Sequence, residues 1–278
     1  MERSPPFSAR PLDPAFVPQA IALARRVGVP GIYVQNHLLA HPRLGGHSEI
    51  LALHGQEDLL GLIYCGDRGN LIVLTDADLD PEALATAVVE SSLHWRIVLG
   101  PHDAVRLLAA LGTTPLVHRT QIYYAVEPAA VPPERLRDDV CPARRQDVKA
   151  LVAATLHLNE TDLGVEAWRV NKDWVRKNVK LRISEGSTLV IGPLGSPRVK
   201  LDIGSRGLAG LILEGVYTWP EARGQGYAAG LVATVAHGAG EDCPVVCLHV
   251  AEDNQAARRA YENAGMREVG RCRLLLRS

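Results

Sequence analysis

Apolar residues recur along this chain with two periods, about 3.6 and about 2, which predicts alternating helices and strands. Val148, Leu151, Val152 and Thr155 form a helical stripe over 144–157. A second, more polar helix is predicted over 167–183, with Trp168, Val175 and Val179 spaced for one face. Short strand-like runs follow at 187–192, 198–204 and 208–217, punctuated by the turn pairs Gly192-Pro193 and Gly204-Ser205. Tyr227, Leu231 and Val235 stand four apart in a helix that closes at Gly238-Ala239-Gly240. Val245 to Val250 reads as a buried strand. Ala257, Ala260, Tyr261 and Ala264 share one face of a helix over 255–264, stopped by Gly265, and two last strands fit 266–269 and 271–276.

The first part of the chain is patterned in the same way. It predicts a helix near 18–27 and strands at 49–54, 58–64 and 70–75, with Gly66-Asp67-Arg68-Gly69-Asn70 as the hairpin turn between the last two. A helix at 81–93, a strand at 95–99, a helix at 102–111 and a strand at 119–126 complete it. Three prolines within 128–133, followed by the charged run 134–139, separate the two patterned parts. The 278 residues suffice for two ordinary domains. The expected division is a domain over 1–127, a linker over 128–137 and a domain over 138–278.

Composition narrows the function classes. Hydrophobic residues make up 47% of the chain and charged ones 22%, enough for packed cores. The formal charge is −1 and the isoelectric point near 6.8, so no nucleic-acid or membrane partner is expected. The five cysteines, Cys65, Cys141, Cys243, Cys247 and Cys272, are odd in number and contain no Cys-x-x-Cys pair. That argues against a disulfide framework or zinc site and for a reducing compartment. Cys243 and Cys247 flank the predicted buried strand and read as packed free thiols. The N-terminus lacks the apolar core of a signal peptide, and no run approaches the about 18 apolar residues of a spanning helix. A cytoplasmic protein is expected.

The candidate chemistry lies in Val216-Tyr217-Thr218-Trp219-Pro220-Glu221-Ala222-Arg223-Gly224-Gln225-Gly226-Tyr227-Ala228. It reads as a strand, a glycine-rich loop and a helix start. Such a junction aims free backbone N–H groups and the positive end of the helix dipole at an anion, which suits a phosphate group. It is not a P-loop, since no Gly-Lys-Ser/Thr follows. Nor is it the dinucleotide fingerprint, which would need a third glycine at Ala229.

The spacing Arg223-x-x-Gly226-x-Ala228 after this strand resembles the acyl-CoA motif of the GNAT superfamily of N-acyltransferases. A second block, Asn254-x-x-Ala257-x-x-x-Tyr261-Glu262-x-x-Gly265-Met266, follows in the family order. The resemblance covers roughly 138–278. It implies an α/β fold with a mixed sheet of six or seven strands and about four helices. The element order of residues 1–126 resembles the same fold without its ligand loop, so two GNAT-like domains in tandem are expected, the first degenerate. Arg43-Leu44-Gly45-Gly46 mimics the start of such a loop, but Ser48 stands where a small residue is required.

The resemblance implies acetyl-CoA as co-substrate, an amine as acceptor and no metal. Arg223, Gly224, Gln225, Gly226, Tyr227, Ala228 and Ala229 would hold the pyrophosphate. Val216, Tyr217 and Thr218 would pair with the pantetheine arm through their backbone. Asn254 would bond the pantetheine, or cap a helix, or both. Tyr261 would donate a proton to the departing sulfur; packing against the sheet is its other reading. The base would be Glu214, out of place in an apolar run, or His249, which a core role also suits. Glu160, Asp162 and Glu166 lie where family members place acceptor-contacting loops. The expected activity is direct transfer of an acetyl group to a primary amine of a small molecule or protein; the alternative is an acetyl-CoA-binding regulatory module with little catalysis.

Overall fold

The computed structural model describes residues 7–277 except 43, 45–48, 56–57, 67–68, 77, 91–93, 111–114 and 167. Much of the Arg43–Ser48 segment, Asp67, Arg68 and Ala167 therefore lie outside the described residues. The chain divides into two compact units, residues 1–123 with 270–278, and residues 124–269.

In the first unit, β1 (Ser8–Pro11), α1 (Val17–Val27), α2 (Ile32–Ala40), β2 (Glu49–His54), β3 (Leu59–Cys65), β4 (Asn70–Thr75), α3 (Pro81–Glu90), β5 (Ile97–Gly100), α4 (His102–Ala110) and β6 (Pro115–Val126) follow in order, the last three residues of β6 belonging to the second unit. The strands β1 to β4 pair antiparallel, and β5 joins β4 in parallel. The apolar run Leu71–Leu74 is buried on both faces. Leu71 and Val73 join the core shared with α3 and α4, while Ile72 and Leu74 join the core shared with α1 and α2. Helix α2 escapes a periodicity reading because Ile32, Val34 and Leu38 are buried together with the polar Gln35 and Asn36.

The second unit contains β7 (Val140–Pro142), α5 (Val148–Leu163), α6 (Lys172–Ser184), β8 (Thr188–Ile191), β9 (Val199–Gly207), β10 (Gly210–Thr218), α7 (Tyr227–His237), β11 (Val246–Ala251) and α8 (Gln255–Asn263). Strands β7 to β10 form an antiparallel meander, and β11 pairs in parallel with β10. This is the mixed α/β sheet the sequence predicted. Helices α5 and α6 bury Leu151, Val175 and Val179 in one core, with Val190 of β8. On α7, seven residues from Ala229 to Ala236 are buried, as its nearly all-apolar sequence requires.

Three local expectations are corrected. The turn placed at Gly204-Ser205 is strand; β9 runs on to Gly207, and the hairpin turns at Leu208-Ala209. The two final strands are one, β12 (Arg267–Arg277), which carries Gly270 within it. Trp168 does not share the buried face of α6. The helix starts only at Lys172, where the side chain of Asn171 accepts the Trp174 N–H at 3.0 Å, and Trp168 lies in the preceding turn, exposed.

From Gly270 on, β12 belongs to the first unit, pairing Arg273–Leu276 with Ile97–Gly100 of β5 and burying Leu275. The proline-rich segment 128–135 folds into two 3-10 turns. It buries Pro128 and Val131, and Pro132 packs so closely on Gly265 that a Cβ there would collide with it.

Candidate active site

The site grows from one irregularity in β10. Glu214 pairs with Asp202 and Tyr217 with Lys200, so β10 spends one more residue than β9 over this stretch, a β-bulge at Gly215-Val216. Gly215 sits at φ +56°, and a Cβ there would lie 2.8 Å from Asp202 Oδ2 and 2.9 Å from Lys200 Nζ. Only glycine meets both conditions. On the other edge, β10 is in register with β11 for just Leu211↔Val246 and Ile212↔Cys247. Past that point the strands part. The C-terminal half of β10, with Val216, Tyr217 and Thr218, then lies beside a gap in the ladder that an extended ligand arm could fill by backbone pairing.

The bulge rests on a buried charged cluster. Lys200 is 2% exposed and Asp202 9%. Lys200 Nζ donates to Asp202 Oδ2 at 2.5 Å, and Thr188 Oγ1 donates to Asp202 Oδ1 at 2.6 Å. Arg182 of α6 reaches Asp202 at 4.0 Å and also binds the carboxylate of Glu214. Glu214, a sequence candidate for the base, is thus an exposed group held by an arginine. Its side chain fills the space over Gly204, where a Cβ would come 2.6 Å from its Oε2.

After β10 the chain makes a 3-10 turn at Pro220–Ala222 and enters the glycine loop. Gly224 and Gly226 both adopt left-handed conformations, at φ +75° and +76°, and a Cβ on either would meet nothing within 4 Å. The glycines therefore serve the loop's curvature and leave its outer side open. The first helix amide with a backbone partner is that of Gly230, bonded to Gly226 O at 3.0 Å. Among the described residues no acceptor takes the amides of Gly224, Gln225, Gly226, Tyr227, Ala228 and Ala229. Arg223 is turned back, its Nε donating to Thr218 O at 3.2 Å. Two arginines absent from the sequence reading border the helix start: Arg137 and Arg198 lie over the Tyr227 ring, at 4.9 and 5.4 Å from its centroid. They stand 90 and 29 residues away in sequence, which is why no local motif reveals them.

Asn254 caps α8, its Oδ1 accepting the Ala257 N–H at 3.1 Å. Tyr261 on that helix is 6% exposed. Burial, with a smaller push from the Asp162 carboxylate, holds its pKa well above the usual tyrosine value. Its ring lies 6.0 Å from that of Tyr124, whose hydroxyl donates to Glu262 at 2.7 Å and accepts from Arg258 at 3.2 Å. Asp162 on α5 is thus electrostatically coupled to Tyr261, while Glu160 and Glu166 are exposed and show no such coupling to it.

His249 is exposed on β11 between buried Leu248 and Val250, so it is not a core residue. It stands two residues after Cys247, as Glu214 stands two after Ile212, the last pair in register between the strands. A second histidine escaped the sequence reading: His157 of α5 meets the Tyr217 hydroxyl through Nδ1 at 3.1 Å, with the rings edge to face. Cys247 is buried and free, and burial pushes its thiol up to about 12, which makes it inert packing. Among the described residues no group of three His, Cys, Asp or Glu could hold a metal ion, and no helix is long and apolar enough to cross a membrane.

A mixed sheet whose parallel strands β10 and β11 part beside an open glycine loop and helix N-terminus offers a site for an extended ligand that carries an anionic group. Residues 205–266 match the acetyltransferase (GNAT) family model. The chain is similar in structure to an acetyltransferase of the GNAT family from Colwellia psychrerythraea, with 12% identity, a TM-score of 0.55 and coverage of 98% of this chain and 100% of that one. It is also similar to a GCN5-related N-acetyltransferase from Sphaerobacter thermophilus, with 17% identity, a TM-score of 0.57 and coverage of 99% and 98%. A Drosophila protein matches with 13% identity, a TM-score of 0.64 and coverage of 98% and 99%. No curated protein sequence matches the chain. At these identities the structural likeness establishes the fold. The family model itself spans only residues 205–266, in the second unit.

Proposed function

We propose that the chain transfers an acetyl group from acetyl-CoA to a primary amine by direct attack within a ternary complex. The observation that carries this reading is the set of unpaired amides from Gly224 to Ala229 beside the opening between β10 and β11. The amides and the dipole of α7 suit a pyrophosphate, and Arg198 adds positive charge nearby, while Arg137 is paired with Asp139. Val216, Tyr217 and Thr218 would align the pantetheine arm, and Asn254 would bond it through the amide nitrogen its capping role leaves free.

In the transfer, the amine nitrogen attacks the thioester carbonyl carbon, the C–S bond breaks, and the thiolate needs a proton. Tyr261 would supply it. Its raised pKa keeps the phenol protonated at neutral pH, the form a donor must have. The amine proton would pass to His249 or Glu214. Arg182 binds the Glu214 carboxylate, which ties that group to α6. Asp162 would attract the acceptor's ammonium group before deprotonation. The first unit would be a GNAT-like domain without a ligand loop, so one acetyl-CoA would bind per chain.

The test is release of free thiol from acetyl-CoA by the full-length protein across a panel of amines: polyamines, amino acids, aminoglycosides and lysine peptides. The reading expects at least one amine to raise release well above hydrolysis. Tight acetyl-CoA binding with no amine-dependent release would transfer the chain to the class of acetyl-CoA-binding modules.

A further inference from the structure

Two of the chain's four tryptophans are exposed, and both fall within residues 168–174. Trp168 is 72% exposed, Trp174 52%, and Leu181 on the same helix 45%. Trp174 and Leu181 are seven residues apart, two turns of α6, and so lie on one side of it, opposite the buried Val175 and Val179. Lys177 stands between them on that side. Large apolar side chains clustered in water mark contact surfaces more often than chance exposure does.

The charge around these anchors is one-sided. Residues 168–184 hold six lysines and arginines against one carboxylate, in a chain whose net charge is −1. Arg169 pairs with Glu166, Arg176 with Asp173, and Arg182 with Glu214 and Asp202. Lys172, Lys177 and Lys180 are exposed, with no ion-pair partner among the described residues. The charge of these three lysines is therefore uncompensated by ion pairs among the described residues.

We infer that the outer face of α6 and the turn before it form a docking surface for an acidic polypeptide segment with interspersed apolar side chains. On the acetyltransferase reading, that segment belongs to the acceptor. Charge complementarity selects acidic residues. The interleaving of Trp174, Lys177 and Leu181 along one stripe matches a partner that alternates acidic and apolar groups, where a lipid surface would favour an apolar face bordered by cations. Tryptophans supply the buried anchors that dominate such interfaces. The location agrees with a role in acceptor binding. The turn leaves α5 just past Asp162, which is electrostatically coupled to Tyr261.

Fluorescence anisotropy of a labelled peptide rich in Glu and Leu, with one central lysine, tests this on the full-length protein. The peptide should bind at least about tenfold more tightly than its charge-reversed counterpart, and binding should weaken steeply with salt. The triple variant K172E/K177E/K180E should lose about 10- to 100-fold in affinity, and Trp174→Ser about tenfold. Acetyl-CoA titration of the same variants should be unchanged. Equal affinity for the two peptides, or wild-type affinity in the triple variant, would overturn the inference. So would co-sedimentation with phosphatidylserine vesicles in place of peptide binding. Failure of the acetyltransferase reading would show separately, as absence of acetyl-CoA binding by the wild-type protein.

Discussion

Tyr261→Phe is expected to leave acetyl-CoA binding intact and to lower turnover by about 10- to 10⁴-fold. The substitution removes one oxygen from a residue that is 6% exposed and leaves its ring in place, so packing should survive. What disappears is the proton offered to the leaving sulfur. The loss should fall on kcat with little change in KM, because the interaction belongs to the transition state. Steady-state kinetics with the best amine from the panel measures it. Normal turnover in the variant would make Tyr261 a core residue, and the proton would have to come from elsewhere.

The largest stability effect is expected at Asp202. Asp202→Ala strands the ammonium of Lys200, which is 2% exposed and has Asp202 as its ion-pair partner, and it removes the acceptor of the Thr188 hydroxyl. Breaking one side of a buried pair costs about 3–5 kcal/mol, a large share of the roughly 5–15 kcal/mol that holds a domain together. A fall in melting temperature of about 6–20 °C should follow. The double variant Lys200→Met/Asp202→Leu, which leaves no uncompensated charge, should recover much of it. Because the same cluster sits beneath the Gly215 bulge, Asp202→Ala should also weaken acetyl-CoA binding. A melting temperature within about 2 °C of wild type would mean that the cluster carries little of the load assigned to it.

What could be read from the sequence and what could not divide along physical lines. The glycine loop and α7 were legible because their requirements are local: left-handed glycines, an apolar helix and a strand before it. The cap at Asn254 was legible for the same reason. The Gly215 bulge was not, because it is a mismatch between two strands and exists only once they pair. Its trace in sequence is the alternation Lys200-Leu201-Asp202 between the apolar Val199 and Ile203, two charges on one face awaiting a partner. Arg137, Arg198 and His157 reach the site through tertiary packing from distant segments. Helix α2 was missed because it buries Gln35 and Asn36 alongside its apolar residues, which blurs the period. Trp168 was placed on a buried face because an aromatic at helical spacing reads as core. Asn171 caps the helix three residues later and leaves the tryptophan outside it.

The central claim is that the open amides from Gly224 to Ala229 bind the pyrophosphate of acetyl-CoA. Calorimetric titration of acetyl-CoA into the full-length protein and into Gly226→Glu tests it most directly. A Cβ at Gly226 meets no neighbour within 4 Å. The variant should stay folded, at a cost of about 1–2 kcal/mol for its left-handed backbone, with a carboxylate where the phosphates approach. Circular dichroism checks the fold. The account predicts one acetyl-CoA per wild-type chain and an affinity lost by at least about a hundredfold in the variant. Undiminished affinity in folded Gly226→Glu, or two acetyl-CoA molecules bound per chain, would contradict it.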